Sequence, residues 1–273
     1  MKLFSKRSRS TRTPRTLTLP ACAIGAACLL ILAGAPARAQ ELPKAEVILE
    51  KYVEVTGGRA VYEKINNELA KGTVEVVGLG VKGTIVVRGA APDKMHTLID
   101  LTGLGSVEEG SNGEVAWERS AATGPRIKTG EELTFSLRES TFNAPIRWRD
   151  LYAKAETTAT ETVGDRPCYK VVLTPAEGKP ITHYYDQETG LLRKIEMIVA
   201  GPMGDVPSEV TLSDYKEVGP LRMPHAMTNK VLTQEIRIRI ESLQHNVEMP
   251  ANAFDPPDDV RALVEKQKAG KKP

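Results

Sequence analysis

The chain has 273 residues, 41% hydrophobic and 26% charged, with 22 Gly and 18 Pro, a composition that excludes a disordered, collagen-like or multi-span membrane protein. Its formal charge of +2 is uneven: seven of the 37 basic residues fall within residues 1–40, which hold no acidic one, leaving 30 basic against 35 acidic residues beyond. That net acidic remainder argues against nucleic acid as a partner, because phosphate binding needs a net basic face.

Residues 1–39 read as a secretory signal peptide. A basic segment ends near Arg15, an apolar run follows from Leu17 to Ala35, and Ala37-Arg38-Ala39 gives the small-x-small pattern that a signal peptidase accepts. Cleavage is predicted after Ala39, with export to the periplasm. The apolar run approaches the roughly 20 residues of a membrane span, so a retained anchor is the alternative; Pro20, Pro36 and the Ala-x-Ala site favour cleavage. Neither Cys22 nor Cys28 has the context of a lipidation site. Removal of the leader leaves Cys168 alone, so no intramolecular disulfide is expected, and Cys168 reads as a small buried hydrophobe on a strand. Residues 40–273 contain no low-complexity linker and are read as a single domain.

Ala45, Ile48, Leu49, Tyr52 and Val53 recur at spacings of three and four, which predicts a helix over 43–66 interrupted at Gly57-Gly58. From residue 70 the period changes to two. Lys71–Val77 and Val81–Arg88 read as a hairpin, Ala91-Pro92-Asp93 as a turn, and Lys94–Leu101 as a strand. Gly103, Gly105, Gly110 and Asn112-Gly113 read as successive turns before a strand at Val115–Arg119. Residues 130–153 predict two short helices broken at Pro145. Strands resume at 155–163, 168–174, 181–185, 191–199, 208–216, 226–232 and 235–243, and Asp258–Lys268 reads as a short exposed helix.

The segment Glu235-Ile236-Arg237-Ile238-Arg239-Ile240-Glu241 alternates strictly. On a strand this puts the three Ile on one face and the charges on the other, as in an antiparallel sheet with one solvated face. About ten such strands, joined mostly by short turns, make one large curled sheet whose dry face the few helices must cover. The fold class is mainly β.

The chemical motifs are weak. Gly78-Leu79-Gly80-Val81-Lys82-Gly83 matches G-x-G-x-x-G, but the dinucleotide fingerprint requires a helix after the glycines, and Thr84–Arg88 is strongly β. Phosphate-loop, H-E-x-x-H and G-x-S-x-G patterns are missing. His96, His183, His225 and His245 lie at least 20 positions apart and show no ligand spacing; each reads as a surface or rim residue. Asp186-Gln187-Glu188-Thr189-Gly190 reads as a hairpin turn rather than a calcium loop. Trp117 shares a face with Val115 and reads as core or pocket wall. No metal, cofactor or catalytic group is expected.

The order of elements, with Ala91-Pro92-Asp93-Lys94-Met95, Asn112-Gly113, Val115-Ala116-Trp117, Tyr184-Tyr185-Asp186, Thr189-Gly190-Leu191-Leu192, Asp214-Tyr215-Lys216-Glu217-Val218 and Phe254-Asp255, resembles the LolA/LolB-like superfamily, in particular outer-membrane lipoprotein-sorting protein-like sequences. The resemblance implies an unclosed antiparallel β-barrel of about eleven strands, with helices as a lid over a hydrophobic cavity that carries acyl chains of lipoproteins or other lipids. An envelope sensor or protein-interaction module of the same fold is the second reading it implies; a hydrolase with an unrecognised site is a third. The inward positions expected to line the cavity are Ile85, Val87, Met95, Ile99, Trp117, Ile195, Met197, Val210, Leu212, Ile236, Ile238 and Ile240, with Leu133, Leu137 and Phe142 in the lid. LolA proper carries a functional Arg on the strand after its Pro-x-Lys segment. Here that stretch reads Lys94-Met95-His96-Thr97, so no residue takes that role.

Overall fold

The computed structural model describes residues 41–201 and 204–270. The predicted leader, its cleavage after Ala39, and Cys22 and Cys28 lie outside the described residues.

The apolar stripe near the start becomes helix α1 (Ala45–Val55), which buries Ala45, Ile48, Leu49 and Val53. Thr56 closes it by donating from Oγ1 to the Tyr52 carbonyl at 2.7 Å. Gly57 follows at φ +136°, where a Cβ would lie 2.6 Å from Leu221 Cδ2. The chain then forms a single turn, α2 (Arg59–Tyr62), and enters the sheet.

Strands β1 (Asn67–Val76), β2 (Val81–Ala90), β3 (Lys94–Leu101), β4 (Gly105–Ser111), β5 (Ala116–Ser120) and β6 (Gly124–Ile127) come first. Helices α3 (Gly130–Glu139) and α4 (Trp148–Leu151) follow. Then come β7 (Lys154–Val163), β8 (Arg166–Thr174), β9 (Ile181–Asp186), β10 (Leu192–Gly201), β11 (Gly204–Val218), β12 (Leu221–Val231) and β13 (Gln234–His245), and last α5 (Asp258–Gly270). All strands belong to one 13-stranded sheet in the order β6-β5-β4-β3-β2-β1-β13-β12-β11-β10-β9-β8-β7. Two antiparallel meanders meet where β1 pairs β13. Strands β6 and β7 remain at opposite edges, so the barrel is unclosed.

The count exceeds the sequence expectation because β4 falls where the sequence reads as successive turns, and β6 falls in 120–129, to which the sequence pattern assigns no element. Gly103, Gly105 and Gly110 mask β4, and β6 is four residues long with Pro125 inside it. Gly110 has its own reason: a Cβ there would lie 2.6 Å from the Trp117 ring.

Curling so wide a sheet needs sites where backbones approach closely. Gly72 lies at a register shift between β1 and β13, and a Cβ on it would meet the Arg239 carbonyl oxygen at 2.0 Å. Gly83 stands in the same relation to the Asp100 oxygen, also at 2.0 Å.

One sheet face packs against α1 and α4, burying Ile48, Leu49, Trp148, Val171, Leu173, Tyr185, Leu192 and Leu212 together. A second cluster joins Val53, Tyr62, Ile65, Phe142 and Leu221. Each such side chain contributes about 1.5–3 kcal/mol of apolar burial. Glu50 ties the helices to one another, accepting from Trp148 Nε1 at 3.1 Å and from Arg149.

Helix α5 is the short, largely exposed helix that its polar sequence predicts, and it is docked on the sheet at one point. Val260 is fully buried, α5 packs on β5 and β6, and Arg119 pairs with Asp259 at 3.6 Å. The helix covers the sheet face opposite to α1.

The β9–β10 turn is held by one buried carboxylate. Asp186 accepts from Arg166 Nε at 2.8 Å and Nη2 at 3.1 Å, and from the backbone N–H of Glu188 and Thr189 at 3.0 and 2.9 Å. The Arg166 guanidinium, with help from the two N–H groups, holds the Asp186 carboxyl well below the usual carboxylate range. Its folded pKa is thus below its unfolded value of about 3.9, so the stabilisation is complete above that value and is lost as pH falls through it. In urea titrations the wild-type midpoint should drop as pH falls from about 5 to about 2. Asp186→Asn should cost about 3 kcal/mol at neutral pH and flatten that acid limb. An Asn variant with an unchanged acid limb would remove Asp186 as its source.

Candidate functional site

Two chambers lie between the sheet and the helices. The first, about 200 Å³, is floored by Leu173 on β8, Ile181, His183 and Tyr185 on β9, and Leu192, Ile195 and Met197 on β10. Its roof is Leu49 and Tyr52 of α1, Trp148 and Leu151 of α4, Tyr152, and the C-terminal Arg138 and Glu139 of α3. The second, about 220 Å³, is lined by Val87, Met95, Tyr62, Ile65, Phe142, Leu221 and Met223, with Glu68 and His245 as polar members. Tyr52, Glu139, Ala144 and Pro145 border both, so the Glu139–Pro145 segment is the partition between them.

That partition is fastened at several points. The Phe142 N–H donates to the Pro92 carbonyl at 3.0 Å, and the absent Cβ of Gly89 makes room for the Phe142 ring. Asn143 adopts φ +54°, and its Nδ2 donates to the carbonyls of Tyr62 and Ile65 at 2.8 and 3.0 Å. Helix α3 bridges the two wings of the sheet, packing on β5 and β10. Arg126 binds Glu132 at 2.6 Å on one side, and Lys179 reaches Glu131 at 3.5 Å on the other.

The first chamber is polar at few points, and most of those are uncharged. His183 Nδ1 is 2.9 Å from the Tyr185 hydroxyl; burial pushes the imidazole down to about 4, leaving it neutral near pH 7. Burial also raises the hydroxyls of Tyr52, Tyr152 and Tyr185, so each keeps its proton. In the second chamber burial pushes the Glu68 carboxyl up and the His245 imidazole down, 3.8 Å apart. Among the described residues no group of three or more His, Cys, Asp and Glu side chains is placed to hold a metal ion. No described helix is long and apolar enough to cross a membrane.

The residues singled out from sequence distribute unevenly. Ile195 and Met197 line the first chamber, and Val87, Met95 and the lid residue Phe142 line the second. Ile85, Leu212 and Ile240 are buried in packing, while Ile99, Val210 and Ile236 are half-buried. Ile238 lies in a separate groove with Val74 and Met227. Leu133 and Leu137 are half-buried on α3. Trp117 requires a correction. It pairs with Gly110, which pairs with His96, which pairs with Arg88, whereas Ile85, Val87 and Met95 occupy the alternate parity. Trp117 therefore belongs to the opposite face, beside His96 at 5.7 Å between rings, and lines neither chamber.

The histidines also differ from expectation. His96 and His225 are buried. Arg88 donates to His96 Nδ1 at 3.0 Å and His96 Nε2 donates to Glu108 at 2.9 Å, while His225 Nδ1 donates to the Met223 carbonyl at 3.0 Å. His183, read as a rim residue, faces the first chamber. Trp148, Tyr152 and Arg138 were not singled out; the helical pattern of 130–153 was their only signal. The G-x-G-x-x-G match leads into strand β2, so no helix N-terminus stands there for a phosphate.

No protein-family model and no curated protein matches the chain. Solved structures do. The LolA superfamily protein NE2245 from Nitrosomonas europaea aligns with a TM-score of 0.52 at 12% identity, over 79% of this chain and 99% of that one. A DUF1329 family protein from Desulfovibrio piger aligns with a TM-score of 0.52 at 12% identity, over 77% of this chain and 97% of that one. The chain has a LolA-like fold.

Proposed function

We propose that residues 40–273 form one periplasmic domain that binds the acyl chain of a lipid or lipoprotein in these chambers and carries it without chemistry, after removal of the 1–39 leader. The observation that supports this reading is the first chamber itself. Leu49, Leu173, Ile181, Leu192, Ile195 and Met197 give it apolar walls, and the tyrosines and histidine among them are uncharged at neutral pH. Moving an acyl chain from water into such walls gains about 0.8 kcal/mol per buried CH₂. Ligand sites commonly occupy about 300–1,000 Å³, and each chamber is below that range. A long chain must therefore run through both, displacing the Glu139–Pro145 partition. Ile195, Met197, Val87, Met95 and Phe142 are the chain-contacting residues in this reading, with α3 as the lid.

Native mass spectrometry of the protein purified from the periplasm, followed by organic extraction, tests it. The expected result is a discrete acyl-bearing adduct whose mass identifies the cargo class. A clean apo mass that stays apo after incubation with phospholipids and a lipoprotein would reject the carrier role and favour an envelope protein-interaction module.

A further inference from the structure

Arg138, in the last turn of α3, is a charged residue in the wall of an apolar chamber. Its side chain is 9% exposed. A guanidinium carries five N–H donors. Here Nη1 donates to the Glu177 carbonyl at 3.3 Å, and the group lies 5.4 Å from the centre of the Phe135 ring. Nε is buried and has no hydrogen-bond acceptor among the described residues. The nearest carboxylate oxygen, on Glu139, stands 3.6 Å away. Glu139 is itself 36% exposed, and at that distance its carboxylate makes no hydrogen bond to Nε. Tyr52, Tyr152, Tyr185 and His183 supply no negative charge.

A buried cation calls for a paired anion, and chain binding by itself has no use for one. We infer that Arg138 anchors the anionic head group of a single-chain amphiphile, a long-chain carboxylate whose oxygens take the unpartnered Nε edge while its alkyl chain runs along Ile195 and Met197. One guanidinium edge matches the charge and planar fork of one carboxylate. A chamber of about 200 Å³ suits one chain rather than two. This inference rests on the acyl-binding reading and adds the head group to it.

Competition on the full-length protein, expressed with its own leader and purified, tests the assignment. The neutral fluorophore N-phenyl-naphthylamine is the probe, and its displacement by dodecanoate is compared with that by dodecanol, which differs only in the head group. Dodecanoate should displace it at a concentration about 10–100-fold lower than dodecanol. Arg138→Gln should weaken dodecanoate alone, bringing the two together. Arg138→Lys, which keeps the charge but not the fork, should cut the preference at least severalfold. If Arg138→Gln fails to fold by circular dichroism, the wild type and Arg138→Lys decide. Equal displacement by both ligands in the wild type, or a preference unchanged in every folded variant, overturns the head-group assignment and leaves acyl binding standing. Failure of the fluorophore and of both ligands to bind overturns the acyl-binding reading itself.

Discussion

Gly72→Ala and Gly83→Ala should each lower the unfolding free energy by about 3 kcal/mol, at the upper end of what overpacking costs. In each case the new Cβ would sit 2.0 Å from a carbonyl oxygen, of Arg239 for Gly72 and of Asp100 for Gly83. The obstacle is backbone on the neighbouring strand, so no rotamer change relieves it. The strands must separate, and the ladder bonds around the site lengthen. Both positions belong to the centre of the sheet, where β13, β1, β2 and β3 adjoin, so the loss is not confined to an edge. Gly78→Ala is the control: a Cβ there meets nothing within 4 Å, and the change should stay within about 0.5 kcal/mol. Urea midpoints at unchanged slope measure all three. A Gly72 or Gly83 variant as stable as the Gly78 control would show that the sheet curls by other means.

Local pattern reveals an element when its own residues carry the signal. The Ile236, Ile238, Ile240 alternation announced β13 and its wet and dry faces, and the stripe from Ala45 to Val53 announced α1. The signal failed where tertiary needs override it. Gly110 weakens the strand pattern of β4 because the Trp117 ring fills the space of its side chain. The polar sequence of α5 conceals a docked helix because one residue, Val260, carries the burial. Trp117 shows a second limit. Alternation says which residues share a face within a strand; only the pairing of Trp117 with Gly110, and of Gly110 with His96, says which face of the sheet that is.

The candidate site was less visible than the fold for a related reason. Its walls come from α1, the segment after α3, and three strands more than a hundred residues further along the chain than α1. No spacing rule joins Tyr52 to Ile195. Ile195 and Met197 were placed inward by alternation, which holds for the whole sheet face. Whether an inward residue meets a helix, a chamber or an open groove depends on where the helices lie over the sheet.

That dependence separates two substitutions that look alike in sequence. Ile195→Glu should reduce acyl capture by about 100-fold or more, whereas Ile238→Glu should leave it within about threefold. Both replace an inward Ile on the same curled sheet. Ile195 faces the chamber beneath Tyr52 and Trp148. A carboxylate there sheds its hydration beside the neutral Tyr185 and His183, takes up a proton, or competes for Arg138 in the same chamber wall, and in each state it presents a polar group to the chain. Ile238 lies on β13, two strands beyond β11 in the sheet order, in a groove apart from both chambers, where a carboxylate keeps its water. Retention of the extracted acyl species, measured on variants with wild-type circular dichroism, distinguishes the two. Equal loss in both would extend the binding surface across the entire inner face and displace the chamber as its seat. Equal retention would leave the chambers as unfilled packing space beneath the helices.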